Sequence, residues 1–132
     1  MRIGIPSETA EDETRVALIP PAAEDLIEDG HEVCVAAGAG EGSDWSDRDY
    51  REVGCEVVND RETVFERADI VVQVRALGAT PGGDIDPYTE GQVVVGQLGP
   101  YDLDEELELL ADRGVTALAL ELIPRISRAQ SM

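Results

Sequence analysis

The chain has 132 residues, 42% of them hydrophobic, which suits one domain built on one core. Twenty-nine acidic residues against ten basic ones give a net charge of -19, so nucleic acid and anionic lipid are repelled and no nucleic-acid partner is expected. No apolar run approaches the ~20 residues of a membrane span, and Met1-Arg2-Ile3-Gly4 reads as a strand start and not a signal peptide, so a soluble chain is expected.

In chain order, Arg2 to Pro6 alternates into a first strand, followed by a polar loop from Ser7 to Thr14. Pro20 and Pro21 suit a helix entrance, Ala22, Ala23, Leu26 and Ile27 its apolar face, and Gly30 its exit. His31 to Ala37 reads as the next strand, with Val33 and Val35 on one face and Cys34 on the other. The following Gly38-Ala39-Gly40-Glu41-Gly42 tempts a dinucleotide-fingerprint reading. Its third glycine comes one place early and Ser43-Asp44-Trp45 intervenes before a helix can begin, so an ordinary turn is expected.

Ser46 is placed to cap a short helix carrying Tyr50 and Val53, and Gly54 to end it. Cys55 to Val58 is a short strand at an edge. Asp60 caps a helix with Val64, Phe65 and Ala68 at helical spacing, and Asp69 to Val74 is a buried strand ending at Arg75. Ala76 to Pro87 is the longest irregular stretch, a candidate flap or interface. Gln92 to Leu98 gives a further strand, stopped by Gly99-Pro100. Asp102 caps a helix with Glu105 as its box partner and Leu103, Leu107 and Leu110 in one stripe. Gly114 to Leu120 then reads as a buried strand feeding Leu122 to Met132. Ile123 before Pro124 ends the strand, and Ser127 to Gln130 fits a capping box.

The chemistry these residues offer is narrow. One histidine and two scattered cysteines carry no metal-ligand spacing, and His31 has no nucleophile or acid beside it, so a structural imidazole is expected. Cys34 and Cys55 read as buried thiols in a reducing cytosol. All ten basic residues are arginine, and a surface so rich in carboxylate repels itself in dilute salt. That points to a halophile whose cytosol screens the charge, a very acidic mesophile being the plainer alternative. Ligands of open parallel sheets bind beyond the carboxyl ends of the strands, which puts Arg75, Arg125, Arg128 and Gln130 on the ligand side. On residue chemistry alone each also reads as a solvated arginine or a capping residue.

The terminal Pro124-Arg125-Ile126-Ser127-Arg128-Ala129-Gln130-Ser131-Met132 resembles the signature at the end of the first domain in the alpha subunits of proton-translocating NAD(P) transhydrogenases. Met1 to Val16 is similar to the opening shared by those subunits and alanine dehydrogenases, and the likeness covers essentially the whole chain. The resemblance implies hydride exchange between NAD(H), bound by this component, and NADP(H), bound by a partner, coupled to proton movement through membrane subunits. No metal is implied. Arg125 and Gln130, with Arg128 between them, match a loop that contacts NAD(H) and faces the NADP(H) component; the aspartate completing it falls just beyond Met132. Arg15 and Arg75 match positions that bind the carboxylate substrate in alanine dehydrogenase, the second being lysine there. The catalytic histidine of that enzyme belongs near Gln97-Leu98-Gly99, where this chain has none.

The expectation is therefore one α/β domain over residues 1–132, doubly wound, with a mainly parallel sheet of about five strands in a flavodoxin-like layout. The resemblance makes it the amino-terminal domain of a transhydrogenase alpha component, inactive alone, without the NAD-gripping Rossmann domain. Expected partners are that downstream domain or a split alpha-subunit piece, the NADP(H)-binding and membrane subunits, and a second copy of the completed subunit. The expected location is the cytoplasm, peripheral to a membrane through the partner subunits. Two alternatives stay open: a fragment of an amino-acid dehydrogenase, and an interaction module that kept the fold without the chemistry.

Overall fold

The computed structural model describes residues 1–10, 13–76, 85–98 and 104–120. Strands β1 (Arg2–Ile5), β2 (Glu32–Ala36), β3 (Glu56–Val58), β4 (Ile70–Arg75), β5 (Val93–Gln97) and β6 (Thr116–Ala119) form one sheet in the order β3-β2-β1-β4-β5-β6. Each described pairing is parallel. Helices α1 (Pro20–Glu28), α2 (Asp47–Glu52), α3 (Arg61–Arg67) and α4 (Asp104–Asp112) follow β1, β2, β3 and β5. The expected doubly wound α/β sheet is present, with six strands where about five were expected. Without β3, the order β2-β1-β4-β5-β6 is the flavodoxin layout; β3 adds one three-residue strand at the edge beside β2.

The helix starts follow from local chemistry. Pro20 and Pro21 open α1, where the missing N–H costs nothing. Ser46 Oγ accepts the Asp49 N–H at 3.2 Å while the Asp49 carboxylate accepts the Ser46 N–H at 2.9 Å, a complete capping box for α2. Asp60 Oδ1 accepts the Thr63 N–H at 2.8 Å and starts α3. The expected caps at Asp102 and Ser127, the break at Ile123-Pro124, the Gly99-Pro100 stop and residues 77–84 of the long loop lie outside the described residues.

Right-handed crossovers decide which face each helix covers. The steps β1 to β2 to β3 run one way and put α1 and α2 on one face, where Ala23 and Tyr50 pack on Ile3, Ile5, Val33 and Val35. The steps β3 to β4 and β5 to β6 run the other way and put α3 and α4 opposite, where Phe65 and Leu110 pack on Val71 and Val94. Helix α3 crosses so close to β1 that a Cβ on Gly4 would lie 2.7 Å from Ala68 Cβ and Val64 Cγ1. One expectation fails here. The strand from Gly114 to Leu120 was read as buried, yet Leu118 is 51% and Leu120 42% exposed. Its apolar run is covered by α4 on one face only, and β6 is an edge strand.

Candidate functional site

The strand order reverses between β1 and β4, so the loops leaving their carboxyl ends diverge and open a crevice there. The chain leaving β1 carries Glu8, Glu13 and Arg15 into that crevice, and β4 delivers Arg75. Glu8 accepts the Val74 and Arg75 N–H groups, each at 2.9 Å. Those donors lie where the β4–β5 register shifts between Val72 and Arg75, and the carboxylate supplies acceptors at that irregularity. Across from it a Cβ on Gly96 would lie 2.6 Å from the Gln73 carbonyl oxygen, so only glycine lets β5 come this close.

Glu13 binds both arginines. Its Oε2 accepts from Arg15 N and Nε at 2.9 Å, and its Oε1 from Arg15 Nη2 at 2.9 Å and Arg75 Nε at 3.0 Å. The Glu13 side chain is only 3% exposed, against 34% for Arg75 and 58% for Arg15. Arg15 beside it holds the Glu13 carboxyl down at about 2. Glu8 moves the other way: burial pushes its carboxyl above the usual range, against the pull of the two N–H bonds. With both carboxylates ionised, these two acids and two arginines sum to zero.

The sequence-predicted pair Arg15 and Arg75 is thus brought together, on a carboxylate that the chain itself supplies. Arg125, Arg128 and Gln130 lie outside the described residues. Sequence reasoning missed Glu8 and Glu13; the only available signal was Glu13 two places before Arg15 in a polar loop. Beside the cluster, a cleft of about 540 Å³ runs between the Arg15–Ile19 segment and the sheet, lined by Val72, Val95 and, at its polar end, Gln97. Gln97 is exposed at the carboxyl end of β5. The chain's one histidine, His31, sits at the opposite rim, in the turn between α1 and β2.

Residues 37–40, with Gly38 and Gly40, form a turn leading into a 3-10 segment, Glu41–Ser43, that holds Gly42. A Cβ on Gly40 would meet Tyr50 Cε2 at 2.7 Å, and one on Gly42 the Thr14 carbonyl oxygen at 2.7 Å. These glycines admit neighbouring protein atoms and leave no phosphate cradle, in keeping with the turn expected from their spacing. Cys34 and Cys55 are buried free thiols, and burial pushes Cys55 up to about 11. Among the described residues no group of three His, Cys, Asp or Glu side chains is placed to hold a metal ion. No described helix is long and apolar enough to cross a membrane.

Residues 4–132 match the family profile described as "Alanine dehydrogenase/PNT, N-terminal domain". The chain is 39% identical over 132 residues to the NAD(P) transhydrogenase subunit alpha of Cereibacter sphaeroides, covering 100% of this chain and 25% of that one. It is 35% identical over 123 residues to the alanine dehydrogenase of Mycobacterium tuberculosis, covering 93% of this chain and 32% of that one. In three dimensions it is similar to the transhydrogenase of Sinorhizobium meliloti, with a TM-score of 0.86 and 35% identity over 100% of this chain and 38% of that one. The chain therefore spans between a quarter and two fifths of the length of these relatives. A match over nearly the whole chain, on a doubly wound sheet whose strand order reverses between β1 and β4, places it in the alanine dehydrogenase/pyridine nucleotide transhydrogenase family, as that family's amino-terminal domain.

Proposed function

We propose that the chain is the amino-terminal part of the NAD(H)-binding component of a proton-translocating NAD(P) transhydrogenase. In this reading hydride passes between NAD(H) on this component and NADP(H) on a partner component, and the 132-residue chain is inactive alone. The observation carrying it is the absence of an imidazole at the carboxyl rim. The sequence has one histidine, and it lies at the opposite end of the strands. Oxidising an amino acid requires proton transfers at nitrogen and oxygen, which call for a positioned acid or base. Hydride exchange between two nicotinamide rings requires none. The rings carry the reactivity, and the protein holds them in register and keeps water out.

The described rim suits the nicotinamide end of a dinucleotide better than its pyrophosphate. It offers a mainly apolar cleft with the Gln97 amide and the exposed edge of Arg15, and no glycine cradle. The grip on the pyrophosphate is assigned to a downstream Rossmann domain or a separate alpha-subunit piece. Arg125 and Gln130, with Arg128 beside them, hold the nicotinamide carboxamide and ribose by guanidinium and amide hydrogen bonds. They do so on a loop that meets the NADP(H)-binding partner. The completed component pairs with a second copy and sits against membrane subunits.

One observation favours a second reading, an amino-acid dehydrogenase. Arg15 and Arg75 converge on a carboxylate, as they would on a carboxylate substrate. In that case Glu13 has to yield its place. The test is Arg125→Ala and Gln130→Ala in the completed component, assayed with its NADP(H) partner for reduction of an NADP analogue by NADH. Loss of turnover on the order of tenfold or more in each variant is expected, because aligning the rings is the main work of the site. Unchanged turnover in both, or robust turnover by the 132-residue chain alone, overturns the assignment.

A further inference from the structure

The chain from Thr14 to Ile19 belongs to no helix or strand, yet residues 15–19 of it wall the cleft. Without ladder bonds, its backbone is fixed only by what reaches it from other elements. Two side chains do so. Ser43 Oγ donates to the Thr14 carbonyl oxygen at 2.8 Å, and the buried Tyr50 hydroxyl donates to the Leu18 carbonyl oxygen at 2.8 Å. Arg15, Val16 and Ala17 lie between these two pins. Both pins come from one body. The Gly38 N–H donates to Asp47 Oδ1 at the start of α2 at 2.8 Å, the Gly40 carbonyl oxygen accepts the Ser43 and Trp45 N–H groups at 3.0 and 2.9 Å, and Gly40 backs directly onto the Tyr50 ring. The glycine turn and α2 therefore make a single frame that holds both ends of the cleft wall.

We infer that Gly42 and Ser43 are positioning residues, which act through the Thr14 carbonyl to set where Arg15 and the cleft wall stand against Val72, Val95 and Gln97. Gly42 carries the sharper part of the case. Its φ is not positive, unlike that of Gly38 at 80°, so the turn itself does not demand a glycine there. The approach of Thr14 does: a Cβ on Gly42 would lie 2.7 Å from the Thr14 carbonyl oxygen and 3.1 Å from its Cα, both backbone atoms with no rotamer to yield. A side chain at 42 thus displaces the wall, and removing the Ser43 hydroxyl releases it. The inference deepens the transhydrogenase reading and rests on it, because the cleft is where that reading seats the nicotinamide. Misplacing a reacting ring by about 1 Å costs up to about 100-fold in rate. Affinity for the dinucleotide is assigned to the pyrophosphate grip of the downstream domain, so a shifted wall changes alignment and leaves binding nearly as it was.

The experiment uses the completed component with its NADP(H)-binding partner. It reads reduction of an NADP analogue by NADH and, separately, hydrogen exchange of the peptide spanning residues 14–19. The expected fall in kcat is about tenfold for Gly42→Ala and about threefold for Ser43→Ala, with KM for NADH within about twofold of wild type in both. Amides of the 14–19 peptide exchange about tenfold faster in both variants. Ser43→Thr keeps the hydroxyl and holds kcat within about twofold of wild type. Val115→Ala opens a cavity in the core at the other end of the sheet; it lowers the melting temperature as well, yet leaves kcat within about twofold. A fall in kcat for Val115→Ala that matches Gly42→Ala overturns the inference, since lost stability then explains both. Faster exchange with kcat unchanged overturns it, as does unchanged exchange in both clamp variants or a rise in KM with kcat held. A wild type that passes no hydride to the NADP analogue, with the peptide loosened in the variants, removes the transhydrogenase reading and leaves the clamp standing.

Discussion

Replacing Glu8 by alanine removes the acceptor for two consecutive backbone donors at the end of β4. The Val74 and Arg75 N–H groups each lie 2.9 Å from its carboxylate, at a register shift where the strand ladder offers no substitute. An orphaned buried donor costs about 1–3 kcal/mol, and these two are half-buried, so the lower end applies to each. Against this, truncation relieves the cost of burying a carboxyl whose own ionisation is disfavoured. The net expectation is a loss of about 2 kcal/mol for Glu8→Ala. Glu8→Gln keeps one carbonyl oxygen but turns an NH₂ toward the second N–H, so about 1 kcal/mol is lost. Urea unfolding at pH 7 reads both as a fall in midpoint at constant slope. Because the folded carboxyl is raised, its contribution is full below the unfolded value of 4.5 and is lost as pH rises through the folded one. The margin of wild type over Glu8→Gln therefore narrows as pH climbs above 4.5. Changes under about 0.5 kcal/mol in both variants would refute the tie between Glu8 and β4.

Glu13 titrates in the opposite sense. Its folded value of about 2 lies below the ordinary 4.5, so its contribution is present above 4.5 and is lost as pH falls toward 2. Glu13→Gln flattens that part of the stability–pH curve, and carbon-detected NMR titration of the Glu13 carboxyl reads the low value directly; a normal value breaks the two-arginine cluster. Tyr50→Phe removes the bond from a fully buried hydroxyl to the Leu18 carbonyl oxygen, 2.8 Å long, and lowers the melting temperature by about 4 °C in calorimetry. No change there means that the hydroxyl does not tie the Arg15–Ile19 segment to α2. A net charge of -19 also makes stability salt-dependent. Raising KCl from about 0.1 M to about 1 M shortens the Debye length from about 10 Å to about 3 Å and raises the melting temperature. A flat or falling response excludes the salt-adapted reading of the composition.

Local chemistry was legible in the sequence and distant pairing was not. Ser46 and Asp60 announced α2 and α3 because a cap is written within four residues of chain, and the apolar runs at β4 and β5 announced strands, the first of them buried. β3 was legible as well, as the short edge strand at Cys55 to Val58, so each of the six strands was named singly although the layout expected about five. At the candidate site, Glu8 meets the Arg75 N–H across 67 positions and Glu13 meets the Arg75 side chain across 62, separations at which no spacing rule operates. Gly40 and Gly42 were legible as turn glycines, but the reasons for them, Tyr50 and the Thr14 carbonyl, are tertiary. The run ending at Leu120 misled because apolar composition records what a strand face is suited to contact. It does not say whether that face is covered.

The most direct measurement follows the hydride itself. NADH carrying deuterium on its transferable carbon is given to the completed alpha component, its NADP(H)-binding partner and oxidised NADP, with pyruvate and ammonium also present. Deuterium recovered in NADPH, with none in alanine, is the result expected of a carboxyl rim that offers guanidinium and amide groups and no imidazole. Deuterium on the α-carbon of alanine, with none in NADPH, would contradict it and make Arg15 and Arg75 the carboxylate grip of an amino-acid dehydrogenase.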